Sequence, residues 1–192
     1  MSIVAFIVVA LALAVGDMLM LRRCAEPFPI RLTAGLAIAI ALALVHTVFY
    51  LLGIGIGDLL RIESPTEASL YSRPNAYIML GLFLFVALKM IFPYLKRKPQ
   101  LAVFNLTETK SVAAMAVASG INLLIIGIGV GFTTPLAGHL HIAIWPMLIL
   151  TLLLSYLGIM FGRQKVDMRP RRWTIATCVI LLGTAIATVV NS

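Results

Sequence analysis

Charge is what this chain lacks. Of its 192 residues only 11% are Asp, Glu, Lys or Arg, and the carboxylates number seven, whereas an ordinary soluble domain carries roughly 25% charged residues. So little charge cannot keep a surface in water, which excludes a large soluble domain. Cysteine is scarce as well. Cys24 and Cys178 have no spacing that would make a zinc site, a haem attachment or a redox pair, and a lone Cys in a helical bundle is usually a small packing residue. Paired catalytic carboxylates, a nucleophile beside a base, a metalloprotease helix motif and an ATP-binding loop are all missing, so the sequence does not read as an enzyme or as an ATP-driven machine, and no cofactor is expected.

What the chain has instead is apolar length: 61% hydrophobic residues and a mean hydropathy of +1.07. A helix needs about 20 mainly apolar residues to span a bilayer. Six such spans fit between the charged segments, at 2–21, 32–57, 75–95, 111–134, 142–162 and 173–190. Long apolar runs with short polar breaks predict helices and not the short alternating strands of a β-barrel. The first span resembles the apolar core of a signal peptide but has no basic leader and no small-residue cleavage pattern, so it is expected to be mature helix.

The few charges are placed unevenly. The breaks after spans one, three and five hold Arg22, Arg23 and Arg31, then Lys96, Arg97, Lys98 and Lys110, then Arg163, Lys165, Arg169, Arg171 and Arg172; the other two breaks hold only Arg61 and Arg73. By the positive-inside rule both termini face outward and the odd loops are cytoplasmic. This accounts for the net charge of +8 without a nucleic-acid partner, and it predicts contact with anionic lipid headgroups.

Sliding the chain by 105 residues puts Asp17 on Asn122, His46 on Thr151 and "LLGIGIG" (51–57) on "YLGIMFG" (156–162); a slide of 102 puts Leu80-Gly81 on Leu182-Gly183 and Lys89 on Asn191. The chain therefore reads as two three-helix halves, 1–95 and 111–192, joined by a basic linker, 96–110. Three spans per half make the repeat inverted. Inverted repeats are a recurring plan of secondary transporters, whose site lies near the bilayer midplane between the repeats.

Ionisable groups at membrane depth cost about 2.5–3.5 kcal/mol on insertion scales, so each is a candidate for function. Asp17 interrupts the apolar run "LALAVGDMLML" (11–21). It is a cation or proton site, or else an interfacial acid that pairs with Arg22 or Arg23. Asn122 is a second oxygen ligand if it partners Asp17, and otherwise a hydrogen-bonding link between helices. His46, near the middle of span two, is a metal ligand or proton relay, or a structural polar residue. Lys89 either snorkels to the interface or acts as a counter-charge to Asp17. The glycine runs at 53, 55, 57 and 127, 129, 131 lie inside spans and read as close-packing positions, not phosphate loops.

The six-span plan, the span-one Asp, "GLAIAIALALVHTVFYLLGIGIG" (35–57), "LKMI" (88–91), "ASGINLL" (118–124) and "SYLGIMFGR" (155–163) resemble the MntP-type manganese exporters of the LysE-like transporter superfamily. That family carries a Ser-x-Asp-Ala type motif in both halves. Asp17 matches its first aspartate, with Val15 and Met18 in place of small neighbours, and Asn122 stands where the second would be. His46 stands where the family has a glutamate, and Lys89 where it has an arginine. The resemblance implies an all-α membrane exporter of a divalent metal, Mn²⁺ being the family's substrate, with Asp17, Asn122 and His46 as metal ligands and Lys89 modulating their charge. The two halves would rock to give alternating access, driven by protons or the membrane potential. One carboxylate, one amide and one imidazole form a weak cage for Mn²⁺, which prefers oxygen donors. Two alternatives stay open. One is a LysE-like exporter of an amino acid or other small organic solute, which would require a wide pocket near Asn122 and Lys89. The other is a membrane accessory protein without transport, in which the polar residues would not converge.

Overall fold

The computed structural model describes residues 3–28, 30–61, 68–95, 103–134, 140–166 and 169–190. They form α1 (Ile3–Ala25), α2 (Leu32–Leu59), α3 (Ala68–Leu95), α4 (Thr109–Thr133), α5 (Leu140–Arg163) and α6 (Pro170–Val190), with no strand among the described residues. All six are long and apolar enough to cross a membrane. In lipid a backbone must satisfy its own hydrogen bonds, and a helix does so within one segment.

The helices overrun the predicted spans. α1 continues past Leu21, so that Arg22 and Arg23 fall in its last turn, where cations meet the negative end of the helix dipole. α3 starts at Ala68 and includes Pro74, where hydropathy alone predicted a start at 75. Hydropathy marks the edge of the apolar slab, and a helix can extend beyond it into the polar region. Of the basic linker, residues 96–102 lie outside the described residues. Its remainder is anchored: Cys24 Sγ accepts the Phe104 N–H at 3.3 Å, and Asn105 Oδ1 accepts the Thr107 N–H at 3.0 Å.

The helices form a ring of neighbours, α1–α5–α2–α4–α3–α6 and back to α1, and a cut at α2·α5 and α3·α6 leaves two groups in which both largest interfaces stay whole. α1 lies against α5 and α6, and α4 lies against α2 and α3; the groups meet through α2 with α5 and α3 with α6. The most extensive interfaces are α1 with α5 and α2 with α4. Exchanging α1 with α4, α2 with α5 and α3 with α6 leaves this set of principal neighbours unchanged.

Glycine makes both large interfaces possible. A Cβ at Gly53 would meet the Leu124 carbonyl oxygen and stand 3.0 Å from Gly127 Cα; one at Gly57 would meet the Ile128 carbonyl oxygen and stand 3.0 Å from Gly131 Cα. α2 and α4 thus touch backbone to backbone. In the other group a Cβ at Gly158 would strike the Met18 carbonyl, and one at Gly162 the Arg22 carbonyl. Small residues four apart permit such close helix approach in membranes, where lipid supplies no hydrophobic drive for association. A Cβ at Gly55, between Gly53 and Gly57, would meet nothing within 4 Å. Phe83, Met79, Ile126, Leu123 and Met147 fill the core around these contacts, while Leu36, Ile40, Leu44, Val48 and Leu52 form an exposed row on α2, suited to lipid.

Candidate functional site

Asp17 sits on α1 with only 4% of its surface exposed, and His46 on α2 is fully buried. His46 Nδ1 lies 2.9 Å from Asp17 Oδ2, and its Nε2 lies 2.7 Å from Ser119 Oγ on α4. Three helices thus contribute to one hydrogen-bonded row. α1 and α2 are not among the closely packed pairs, so the Asp17–His46 bridge joins the α1·α5·α6 group to the α2·α3·α4 group across the seam between them.

The row accommodates His46 in either protonation form. With neutral imidazole, Nδ1–H donates to Asp17 and the Ser119 hydroxyl donates to Nε2. With imidazolium, Nε2–H donates to Ser119 Oγ, whose own proton can go to the Met115 carbonyl at 3.1 Å. No acceptor is left facing an acceptor in either form, which matters because an unpaired buried polar group costs about 1–3 kcal/mol.

The other two predicted site residues form a separate pair: Lys89 Nζ donates to Asn122 Oδ1 at 2.8 Å. The hydrogen bonds thus divide the four expected site residues into two pairs, Asp17 with His46 and Lys89 with Asn122. Asp17 does not use the loop arginines. Arg22 Nε donates instead to the Val166 carbonyl at 3.0 Å, which ties the end of α1 to the segment after α5. Lys89 is a hydrogen-bond donor to a neutral amide and not the counter-charge to Asp17.

Lys89 and Asn122 line a cavity of about 230 Å³ whose wall also includes Gly16, Met20, Arg23 and Tyr94. Gly16 immediately precedes Asp17, and Arg23 and Tyr94 lie near the C-terminal ends of α1 and α3. The cavity thus opens at the end of the bundle where the basic loops gather and reaches the residue next to Asp17. Among the described residues, no three His, Cys, Asp or Glu side chains come together as a metal-binding group. A metal held here would need oxygen from hydroxyl, amide, carbonyl or water beside the single carboxylate.

Ser119 was missed as a site residue in the sequence. It stands in "ASGINLL", three residues before Asn122, and a helical Ser more often returns its hydroxyl to its own backbone, as Ser119 also does. The available signal was its place on the α4 face that packs on α2.

Six spanning helices, an ionisable pair buried at the seam between two helix groups and a cavity beside it define a membrane transporter. The comparison of sequences narrows this: a family described as "Putative manganese efflux pump" matches residues 29–189. The match covers most of the chain, and the chain belongs to this family, which is one of transporters and not of enzymes. His46, Lys89, Ser119 and Asn122 lie within the matched segment, whereas Asp17 precedes it. No curated protein and no solved structure matches the chain.

Proposed function

We propose that the protein exports Mn²⁺ by alternating access and that the ion binds at the Asp17–His46 seam. The observation that carries this reading is the buried bridge between Asp17 and His46, an ionisable contact placed where two groups of helices meet. The cation enters from the cavity, exchanges the His46 contact of Asp17 for its own, and so loosens the link between the groups. Asn122 turns from Lys89 to the ion as a second oxygen ligand, and the Lys89 ammonium, freed by that turn, adjusts the charge of the cavity.

The moving bodies in this reading are the groups α1·α5·α6 and α2·α3·α4, each built on one glycine-joined pair, α1 with α5 or α2 with α4, and each drawing helices from both halves of the chain. Rocking one half of the sequence against the other would break the two largest interfaces. Rocking the groups breaks neither. The unchanged neighbour set under exchange of the halves and the 105-residue correspondence of the glycines support an inverted repeat, in which the two groups are images of each other. In this reading the basic loops are cytoplasmic by the positive-inside rule, so the cavity opens to the cytoplasm across a plasma membrane and both termini lie outside.

An organic solute is the second reading, because the cavity is mostly apolar and has hydrogen-bond donors in Lys89, Asn122, Arg23 and Tyr94. Membership of a metal-exporting family decides for the metal. The experiment is uptake of Mn²⁺, Zn²⁺, Co²⁺, Ni²⁺ and Cd²⁺ by inside-out vesicles, with and without a pH gradient. Wild type accumulates Mn²⁺ and Asp17→Asn does not, while His46→Ala transports with altered ion preference. Full accumulation by Asp17→Asn would remove Asp17 from the site.

A further inference from the structure

Three side-chain oxygens, Tyr50 Oη, Thr151 Oγ1 and Ser155 Oγ, are buried without a hydrogen-bond partner among the described residues. Two of them lie one turn apart on α5. Thr151 and Ser155 are both fully buried, and neither follows the usual course of a helical hydroxyl, which is to donate to a carbonyl three or four residues earlier. Thr47, Thr184 and Thr188 all do so in this chain. A buried polar group left open in this way calls for a water, an ion or a ligand.

Their position is defined by their neighbours. Thr151, Ser155, Gly158 and Gly162 form one stripe of α5, with steps of four, three and four residues, and the two glycines rest on Met18 and Arg22 of α1. The hydroxyls therefore share the α5 face that packs on the Asp17 helix. Both contacts have the same register and the helices run parallel, so Asp17 is level with Leu157. At a rise of about 1.5 Å per residue, Ser155 is about 3 Å and Thr151 about 9 Å further along the axis from that level.

The same stripe occurs in α2. His46, Tyr50, Gly53 and Gly57 have identical steps, and their glycines rest on α4. The 105-residue slide puts His46 on Thr151, Tyr50 on Ser155 and each glycine on its counterpart. In α2 the first polar member has its partners, Asp17 and Ser119. The second, Tyr50, is open, and in α5 both polar members are open.

We propose that Thr151 and Ser155 are oxygen ligands of the transported cation, directly or through its bound water, and that they make the pathway selective for a hard dication such as Mn²⁺. This rests on the export reading above. It supplies the donors that the site otherwise lacks, because one carboxylate and one imidazole alone suit zinc or cobalt as well as manganese, whereas added hydroxyl oxygens favour manganese.

The test compares wild type, Asp17→Asn, Thr151→Val, Thr151→Ser and the double variant Thr151→Val with Ser155→Ala, by Mn²⁺ and Zn²⁺ uptake into inside-out vesicles and by thermal unfolding of the purified proteins. Thr151→Val and the double variant are expected to keep or raise the melting temperature, since an open hydroxyl is removed, and yet to take up Mn²⁺ on the order of tenfold more slowly. Zn²⁺ uptake should fall less, and Thr151→Ser should retain the wild-type Mn²⁺ to Zn²⁺ ratio. Wild-type Mn²⁺ uptake and ion preference in the double variant would overturn the proposal while leaving the Asp17 site intact. Uptake by wild type that does not depend on Asp17 would overturn the export site itself, and this inference with it. If the double variant does not fold, the pair Thr151→Val and Thr151→Ser decides by the same ratio.

Discussion

Replacing Gly57 with alanine adds one carbon where two helix backbones touch. That carbon would stand 3.0 Å from Gly131 Cα and closer still to the Ile128 carbonyl oxygen, inside the 3.4 Å at which ordinary carbon contacts begin. Neither neighbour is the end of a flexible side chain, so α2 and α4 must part. Overpacking of this kind costs about 1–3 kcal/mol, which for a chain of this size lowers the melting temperature by roughly 2–12 °C. Gly55 is the internal control. It lies two residues away in the same run, and a Cβ there would meet nothing within 4 Å, so Gly55→Ala should be neutral or slightly stabilising, alanine being the better helix former by about 0.8–1.0 kcal/mol. The assay is thermal unfolding in detergent, followed by the helical circular dichroism signal. Equal melting temperatures for Gly55→Ala and Gly57→Ala would refute backbone-to-backbone packing of α2 on α4.

Asp17→Asn and His46→Ala should separate stability from transport. An amide oxygen can still accept from His46 Nδ1–H, so Asp17→Asn is expected to melt near wild type although its uptake is lost. His46→Ala leaves the Asp17 carboxylate buried without its partner and should be destabilised by about 1–3 kcal/mol or more; the reverse order of melting temperatures would count against the bridge as described. For topology, Arg169→Cys should react with a membrane-impermeant maleimide only from the cytoplasmic side, and Arg61→Cys only from the outside. The native thiols are both buried and give little background, and labelling of Arg61→Cys from the cytoplasm would invert the assignment.

The helices and their apolar lengths were legible because a bilayer imposes a composition that sequence displays directly. The correspondence of Gly53 and Gly57 with Gly158 and Gly162 was legible too, since the structure uses all four in the same way. Side-chain direction was harder to read. A helix that is apolar on every side gives no stripe from which to judge which way Asn122 or Lys89 turns, and so the hydrogen bond between them was not legible in the sequence. Ser119 and the open hydroxyls of α5 were hidden for a related reason: a Ser or Thr in a helix has a ready partner in its own backbone, and only the packed structure shows which ones reach elsewhere or nowhere. Span edges differed where helices left the apolar slab, as at Ala68 in α3.

The pairing of α1 with α5 and of α2 with α4 also bears on how the chain is made. Neither large interface can close until the second half has left the ribosome, so the Met18–Arg22 face of α1 and the glycine face of α2 are made before the helices that cover them. Asp17 need not wait alone. His46 follows it within the next span, and the two can neutralise each other long before α4 and α5 arrive. The buried partner that Asp17 has across the seam of the folded protein is thus also one that the chain supplies in the very next span.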